Sequence, residues 1–154
     1  MTFSGRKKMK VINEFNVKFL SKSENEGFAR IVITAFLTQY SPTVEDIADI
    51  KTAVSEAVTN CVVHAYKNSS GYIQLSGKYF ENGNLRITVK DKGCGIEDIE
   101  KAREPLYTTD AENERSGMGF PIMESFTDKM RVTSQPGKGT TVVMEKKIGC
   151  KQSM

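Results

Sequence analysis

Two carboxylates, one guanidinium and a run of glycines carry most of the chemistry available to this 154-residue chain. Glu56, Asn60 and His64 recur every four residues, so on a helix they form one polar stripe. Their neighbours from Ala53 to Tyr66 are otherwise largely apolar: Ala53, Val54, Ala57, Val58, Cys61, Val62, Val63 and Ala65 run around most of the helix. A carboxylate on a largely buried helix is costly unless it has a partner or faces a wet pocket. Glu56 and Asn60 side by side can offer oxygens to Mg²⁺, a hard cation. Glu56 can also take a proton from a hydroxyl or a water. The alternative reading of the stripe is a satisfied buried polar network. His64 is the sole histidine, and no Ser or Cys constellation accompanies it; it is read as a structural or supporting residue.

A second signal is Asp91-Lys92-Gly93-Cys94-Gly95-Ile96, which follows an apolar stretch of strand character. The strand would deliver a carboxylate to the sheet edge. Gly93 and Gly95 permit close backbone approach or positive φ. A carboxylate so placed can accept from the exocyclic amine of a purine, and the alternative is a plain turn. A third signal is Ser116-Gly117-Met118-Gly119-Phe120, which opens a helical stretch. Backbone N–H groups exposed there suit phosphate. Arg115 precedes it, and a guanidinium can pair with phosphate through two parallel hydrogen bonds. Its alternative is a solvated loop charge.

Positioning these groups requires a mixed architecture. Residues 11–20 alternate apolar and polar and predict a strand. Ser23 with Glu26 reads as a capping box, opening a helix to about Tyr40 whose apolar face is Phe28, Ile31, Val32, Ala35 and Phe36. Ser41-Pro42 ends it, and Thr43 can cap a second helix running to about Tyr66. Residues 72–80 and 84–91 predict a hairpin around Glu81-Asn82-Gly83-Asn84. A short helix over 97–103, a loop over 104–119, a helix to about Thr127 and strands near 129–134 and 140–147 follow. The expected fold is α+β: a two-layer sandwich of one mostly antiparallel sheet with helices on one face and a loop able to act as a lid. One domain over residues 10–147 is expected, with residues 1–9 and 148–154 as flexible tails.

Composition excludes several functions. With 22 Lys+Arg against 19 Asp+Glu the net charge is +3, too small and scattered for direct nucleic-acid binding. Cys61, Cys94 and Cys150 are odd in number with no close pair, which argues against a disulfide frame or a zinc site. Cys61 reads as a core residue. No apolar run reaches the ~20 residues of a membrane span, and no signal peptide is legible. A cytoplasmic protein without membrane contact is the expectation.

Glu-x-x-x-Asn on a helix, then Asp-x-Gly-x-Gly, then Gly-x-Gly, in this order, resembles the ATP-binding fold of the gyrase, Hsp90, histidine kinase and MutL superfamily. Within it the chain is similar to the anti-sigma F factors of endospore-forming bacteria. The matching stretches are residues 23–30, 50–60 and 114–124, and the likeness spans about residues 10–147. The resemblance implies a serine kinase that uses ATP and Mg²⁺. Glu56 takes the position of the general base and Asn60 that of the Mg²⁺ ligand. Asp91 matches the adenine-reading carboxylate, with Gly93 in the same motif, Gly95 beside the base and Thr140 in support. Thr108, Thr109, Arg115, Ser116, Gly117 and Gly119 match the lid around the phosphates, Arg115 reaching the γ-phosphate. Glu26 and Arg30 match contacts to a sigma factor; their alternative is a surface ion pair one helical turn apart. Ala65 replaces the glycine usual after the helix-two histidine. The implied partners are a sigma factor, an anti-anti-sigma antagonist protein and a second copy of the chain. Three other functions fit the same motifs: a general-stress anti-sigma kinase, an ATP-gated clamp that transfers no phosphate, and a sensor histidine kinase, for whose further domains 154 residues leave no room.

Overall fold

A computed structural model describes residues 8–66, 69–104 and 119–149. Five strands, β1 (Val11–Leu20), β2 (Tyr72–Phe80), β3 (Asn84–Asp91), β4 (Lys129–Gln135) and β5 (Gly139–Lys147), form one sheet in the order β1-β2-β3-β5-β4, with every neighbouring pair antiparallel. Period-two alternation decides the register. Ile73 and Leu75 on β2, Leu85, Ile87 and Val89 on β3, and Val142 and Met144 on β5 are buried on one face. Lys78, Lys90, Arg131 and Lys147 on the other face are exposed. A one-residue slip would exchange the two sets, so burial pins the pairing. That register sets Asp91 across from Ile73 on β2 and Thr140 on β5.

Helices α1 (Asn25–Leu37), α2 (Val44–Asn60), α3 (Ile99–Arg103) and α4 (Phe120–Ser125) supply the second layer, and α2 packs on both α1 and α4. The expected start of α1 is corrected. The residue before its first turn is Glu24, with no side-chain cap. The first turn is held by backbone instead: Asn25 N donates to Lys22 O at 2.9 Å and Glu26 N to Ser23 O at 3.2 Å. The Glu26 carboxylate is not available for a capping box because α1 and α2 residues engage it, as described below.

The apolar face of α1 is corrected as well. Ala29, Ile33, Phe36 and Leu37 are buried, whereas Ala35 is exposed and Phe28 and Ile31 stand 46% and 70% exposed. Two overlapping helical stripes were available in the sequence, and the smaller Ala29 lets α2 approach on its own side.

Thr43 caps α2 as expected: its hydroxyl accepts from Asp46 N at 2.9 Å, and the Asp46 carboxylate accepts in turn from Thr43 N at 3.0 Å. Beyond Asn60 the helix widens to a single π turn, Cys61–Ala65. Ile148 and Gly149, expected in the tail, belong to the packed domain. Ile148 is 4% exposed, and Gly149 N donates to Asp46 Oδ2 at 2.9 Å.

Candidate nucleotide site

The wide turn after α2 lies over the ends of β3 and β5, and an open cavity lies between them. Its polar lining is Asn60, His64, Asp91 and Thr140; Ala57, Ile96, Phe120 and Val142 give it an apolar body. An apolar cleft with a few convergent polar groups is the usual build of a small-molecule site.

Asp91 is 7% exposed, so its carboxylate must be satisfied. Its Oδ1 accepts from Gly93 N at 2.8 Å and from Thr140 N at 3.2 Å. Its Oδ2 accepts from the Cys61 thiol at 3.4 Å. Burial pushes the Cys61 thiol well up, and the neighbouring negative charge and hydrogen bond of Asp91 push it further, so it remains a donor. Thr140 Oγ1 shares a 2.8 Å hydrogen bond with Ser134 Oγ, and Ile96 N donates to Ser134 Oγ at 2.8 Å. The loop between β3 and α3 is tied down on both sides. Cys94 N donates to Ala65 O at 2.9 Å, and Gly137 N donates to Cys94 O at 2.6 Å. Gly95 has φ +78° and lies against the Gln135 carbonyl, which a Cβ would meet at 2.2 Å. No side chain fits there.

A second cleft opens on the outer side of α2, lined by Arg30, Lys51, Thr52, Ser55 and Glu56. Glu26 joins the two helices behind it: the Ser55 hydroxyl donates to its carboxylate and Arg30 Nε pairs with it at 3.1 Å. Glu56 is half-buried. Burial raises its carboxyl above the usual range, and the nearby Glu26 charge raises it further. Gly119, at φ +63°, begins α4 directly against it; a Cβ there would meet Glu56 Oε1 at 2.2 Å.

The sequence-predicted residues therefore fall into two adjoining groups. Asn60, Asp91, Gly95 and Thr140 line the cavity, with Gly93 donating to Asp91. Glu56 and Gly119 touch beside it, and Arg30 reaches the cleft of Glu56 from α1. His64 lines the cavity rather than standing apart from it. Thr108, Thr109, Arg115, Ser116 and Gly117 lie outside the described residues. Sequence reasoning missed Cys61 as a partner of Asp91, Ser134 as a partner of Thr140, and Ser55 as a partner of Glu26. Only Ser134 left a trace, since the β4 alternation that buries Val132 turns Ser134 to the same face. Among the described residues no three His, Cys, Asp or Glu side chains gather as a metal site, and no helix is long and apolar enough to cross a membrane.

Known proteins share this arrangement. The family described as the histidine kinase-like ATPase domain matches residues 19–146. The anti-sigma F factor of Caldanaerobacter subterraneus subsp. tengcongensis is 56% identical over 141 residues, covering 92% of this chain and 98% of that protein. The anti-sigma F factor of Clostridium acetobutylicum is 52% identical over 136 residues, covering 88% and 94%. Among solved structures, the RsbU and RsbW domains of Rv1364c from Mycobacterium tuberculosis superpose with a TM-score of 0.64 at 20% identity, over 88% of this chain and 32% of that one. The histidine kinase domain of the Erythrobacter litoralis EL346 blue-light activated kinase gives 0.56 at 23% identity, over 82% and 60%. The two structures share the fold: an antiparallel five-stranded sheet under helices. Over nearly its whole length, the chain belongs to the anti-sigma F factors, within the histidine kinase-like ATPase domains.

Proposed function

We propose that the chain binds and inhibits a sporulation sigma factor and uses Mg-ATP to phosphorylate a serine of an anti-anti-sigma antagonist protein. The observation that carries this reading is the position of Glu56. It lines the cleft reached by Arg30 and touches Gly119, whose neighbour Phe120 lines the apolar cavity, and its carboxyl is raised by burial and by Glu26. A base is most effective when its pKa nears the working pH, and Glu56 is displaced in that direction. Asp91, fixed by two backbone donors, offers Oδ2 to the amine of adenine.

Asn60 offers the cavity one side-chain oxygen of the kind Mg²⁺ prefers. That cation takes one or two protein oxygens and completes its shell with phosphate and water, and Asn60 lines the cavity one turn from Glu56. The bound metal would supply charge compensation on the phosphates. Asn60 would hold it, and Thr140 would support the base-reading carboxylate. Glu56 would take the serine hydroxyl proton as that oxygen attacks the γ-phosphorus and ADP leaves. Thr108, Thr109, Arg115, Ser116, Gly117 and Gly119 would close over the phosphates, and Arg115 would stabilise charge on the moving phosphoryl group. Glu26 and Arg30 would meet the sigma factor, and two copies of the chain would form the working unit.

Glu56→Gln tests the reading. The amide is nearly isosteric but cannot accept the proton, so ATP affinity should hold while phosphate transfer to the antagonist falls ~10²–10⁴-fold. Radiolabelled ATP, the antagonist and a gel suffice. Transfer at the parent rate would remove Glu56 from the chemistry, and label that ends only as free phosphate would make the chain an ATPase clamp.

A further inference from the structure

We infer that Cys61 sets the base specificity of the cavity by occupying one acceptor position of Asp91, leaving the carboxylate a single free acceptor for one exocyclic amine hydrogen. This rests on the reading of Asp91 as the carboxylate that meets the nucleotide base. A carboxylate has about four acceptor positions. On Asp91 two are filled by the N–H groups of Gly93 and Thr140, both on Oδ1. A third is filled on Oδ2 by the thiol of Cys61, which is itself 4% exposed. Both side chains line the cavity, so the remaining acceptor of Oδ2 is the one a ligand can meet. A packing role alone would need no donor at this position. The sulfhydryl does more. Its sulfur covers one side of Oδ2, where a water would otherwise have room to sit.

The consequence is selectivity between amino and oxo purines. A 6-amino group donates to Oδ2. A 6-oxo group presents an acceptor to an acceptor and is rejected, provided no water mediates. Without the thiol, Oδ2 gains a second open acceptor and a space where a water fits. That water donates to the carboxylate and to the oxo group, and the penalty against the oxo base falls.

The test compares ATP and inosine triphosphate affinities by calorimetry on the full chain with Mg²⁺ present. The parent should prefer ATP. Cys61→Ala, which lacks the donor and leaves room for a water, should narrow the preference about tenfold, the scale of one hydrogen bond to a charged group; Cys61→Val, which lacks the donor but fills the space, should narrow it less. Cys61→Ser keeps a donor of similar reach and should retain the preference within about threefold. A merely structural cysteine would lower both affinities together and leave their ratio untouched. An unchanged ratio in Cys61→Ala overturns the inference, and so does a fall in Cys61→Ser equal to that of Cys61→Ala. Asp91→Asn separates the two levels. If it erases the preference while Cys61→Ala leaves the preference unchanged, the inference fails and Asp91 keeps its role. If it leaves the preference intact, Asp91 does not read the base and both fall.

Discussion

At the scale of single residues, the tightest constraint in the site is the contact between Gly119 and Glu56. Gly119 is in the left-handed region, and its missing Cβ is the space that Glu56 Oε1 fills. Gly119→Ala therefore does two things: it strains the backbone, and it pushes the carboxylate from its place. A displacement near 1 Å at a reacting group can lower rate ~10²-fold. Gly119 also opens the helix whose Phe120 lines the cavity, so ADP affinity should fall as well, though by less than the rate. We expect transfer to fall by ten- to a hundredfold with ADP binding within about threefold, measured by steady-state transfer and ADP titration. Equal losses in both would mean that the substitution disturbs α4 as a whole. Glu56 and Asn60 were legible as one stripe because their spacing is local, and Asp91 because it ends a strand just before Gly93 and Gly95. The thiol of Cys61 on Asp91 was not: the two are thirty residues apart, and only the β3–β5 register and the π turn bring them together.

At the scale of elements, Glu26 couples α1 to α2. It takes the Ser55 hydroxyl from α2 and Arg30 from its own helix, and its charge acts on Glu56. The direction of that effect can be worked through. As the proposed base, Glu56 would act only when ionised, and its raised pKa would place the acid limb of the rate profile above that of an ordinary carboxylate. Glu26→Gln keeps a hydrogen-bonding side chain and removes the repelling charge. The acid limb of the saturated transfer rate should then move to lower pH, though not to the ordinary value, since burial is the larger cause and stays. A pH profile at saturating antagonist reads this directly; a limb that stays put, or moves up, would mean Glu26 has no electrostatic hold on Glu56. The strands were legible almost to the residue because period two leaves no second choice of face once hydrophobic and charged residues alternate, as in Lys78 and Lys90 against Leu75 and Val89. The face of α1 was not. Phe28, Ile31 and Phe36 fit one stripe, Ala29, Ile33 and Phe36 another, and the choice belongs to α2, which local sequence does not contain.

At the scale of the whole molecule, two surfaces compete to receive a protein partner. One is the open face of the sheet, where exposed Lys78, Lys90, Arg131 and Lys147 make a basic field. The other is the outer side of α1, where Arg30 stands beside the Glu56 cleft and Phe28 and Ile31 remain exposed on the same helix. Charge alone favours the sheet, but dispersed lysines on a flat face are solvated and each contributes little. The α1 surface combines an arginine with exposed apolar side chains, the composition of energetic centres in interfaces. The ion pair of Arg30 with Glu26, at 3.1 Å and part-exposed, is worth only ~0.3–0.5 kcal/mol to the fold. Arg30→Ala should therefore leave the melting temperature and ATP affinity almost unchanged. Its effect on sigma affinity should be ~2 kcal/mol or more, because an acidic group of the partner loses its counter-charge. Ile31→Asp should weaken the complex as well, by placing a charge in an apolar contact. Lys90→Glu on the sheet face should change the salt dependence of association and little else. Calorimetry of the four proteins with the sigma factor, at two salt concentrations, decides between the surfaces. If Lys90→Glu is the variant that loses the partner while Arg30→Ala and Ile31→Asp bind as the parent does, the sigma factor sits on the sheet, and the exposed apolar residues of α1 serve something else.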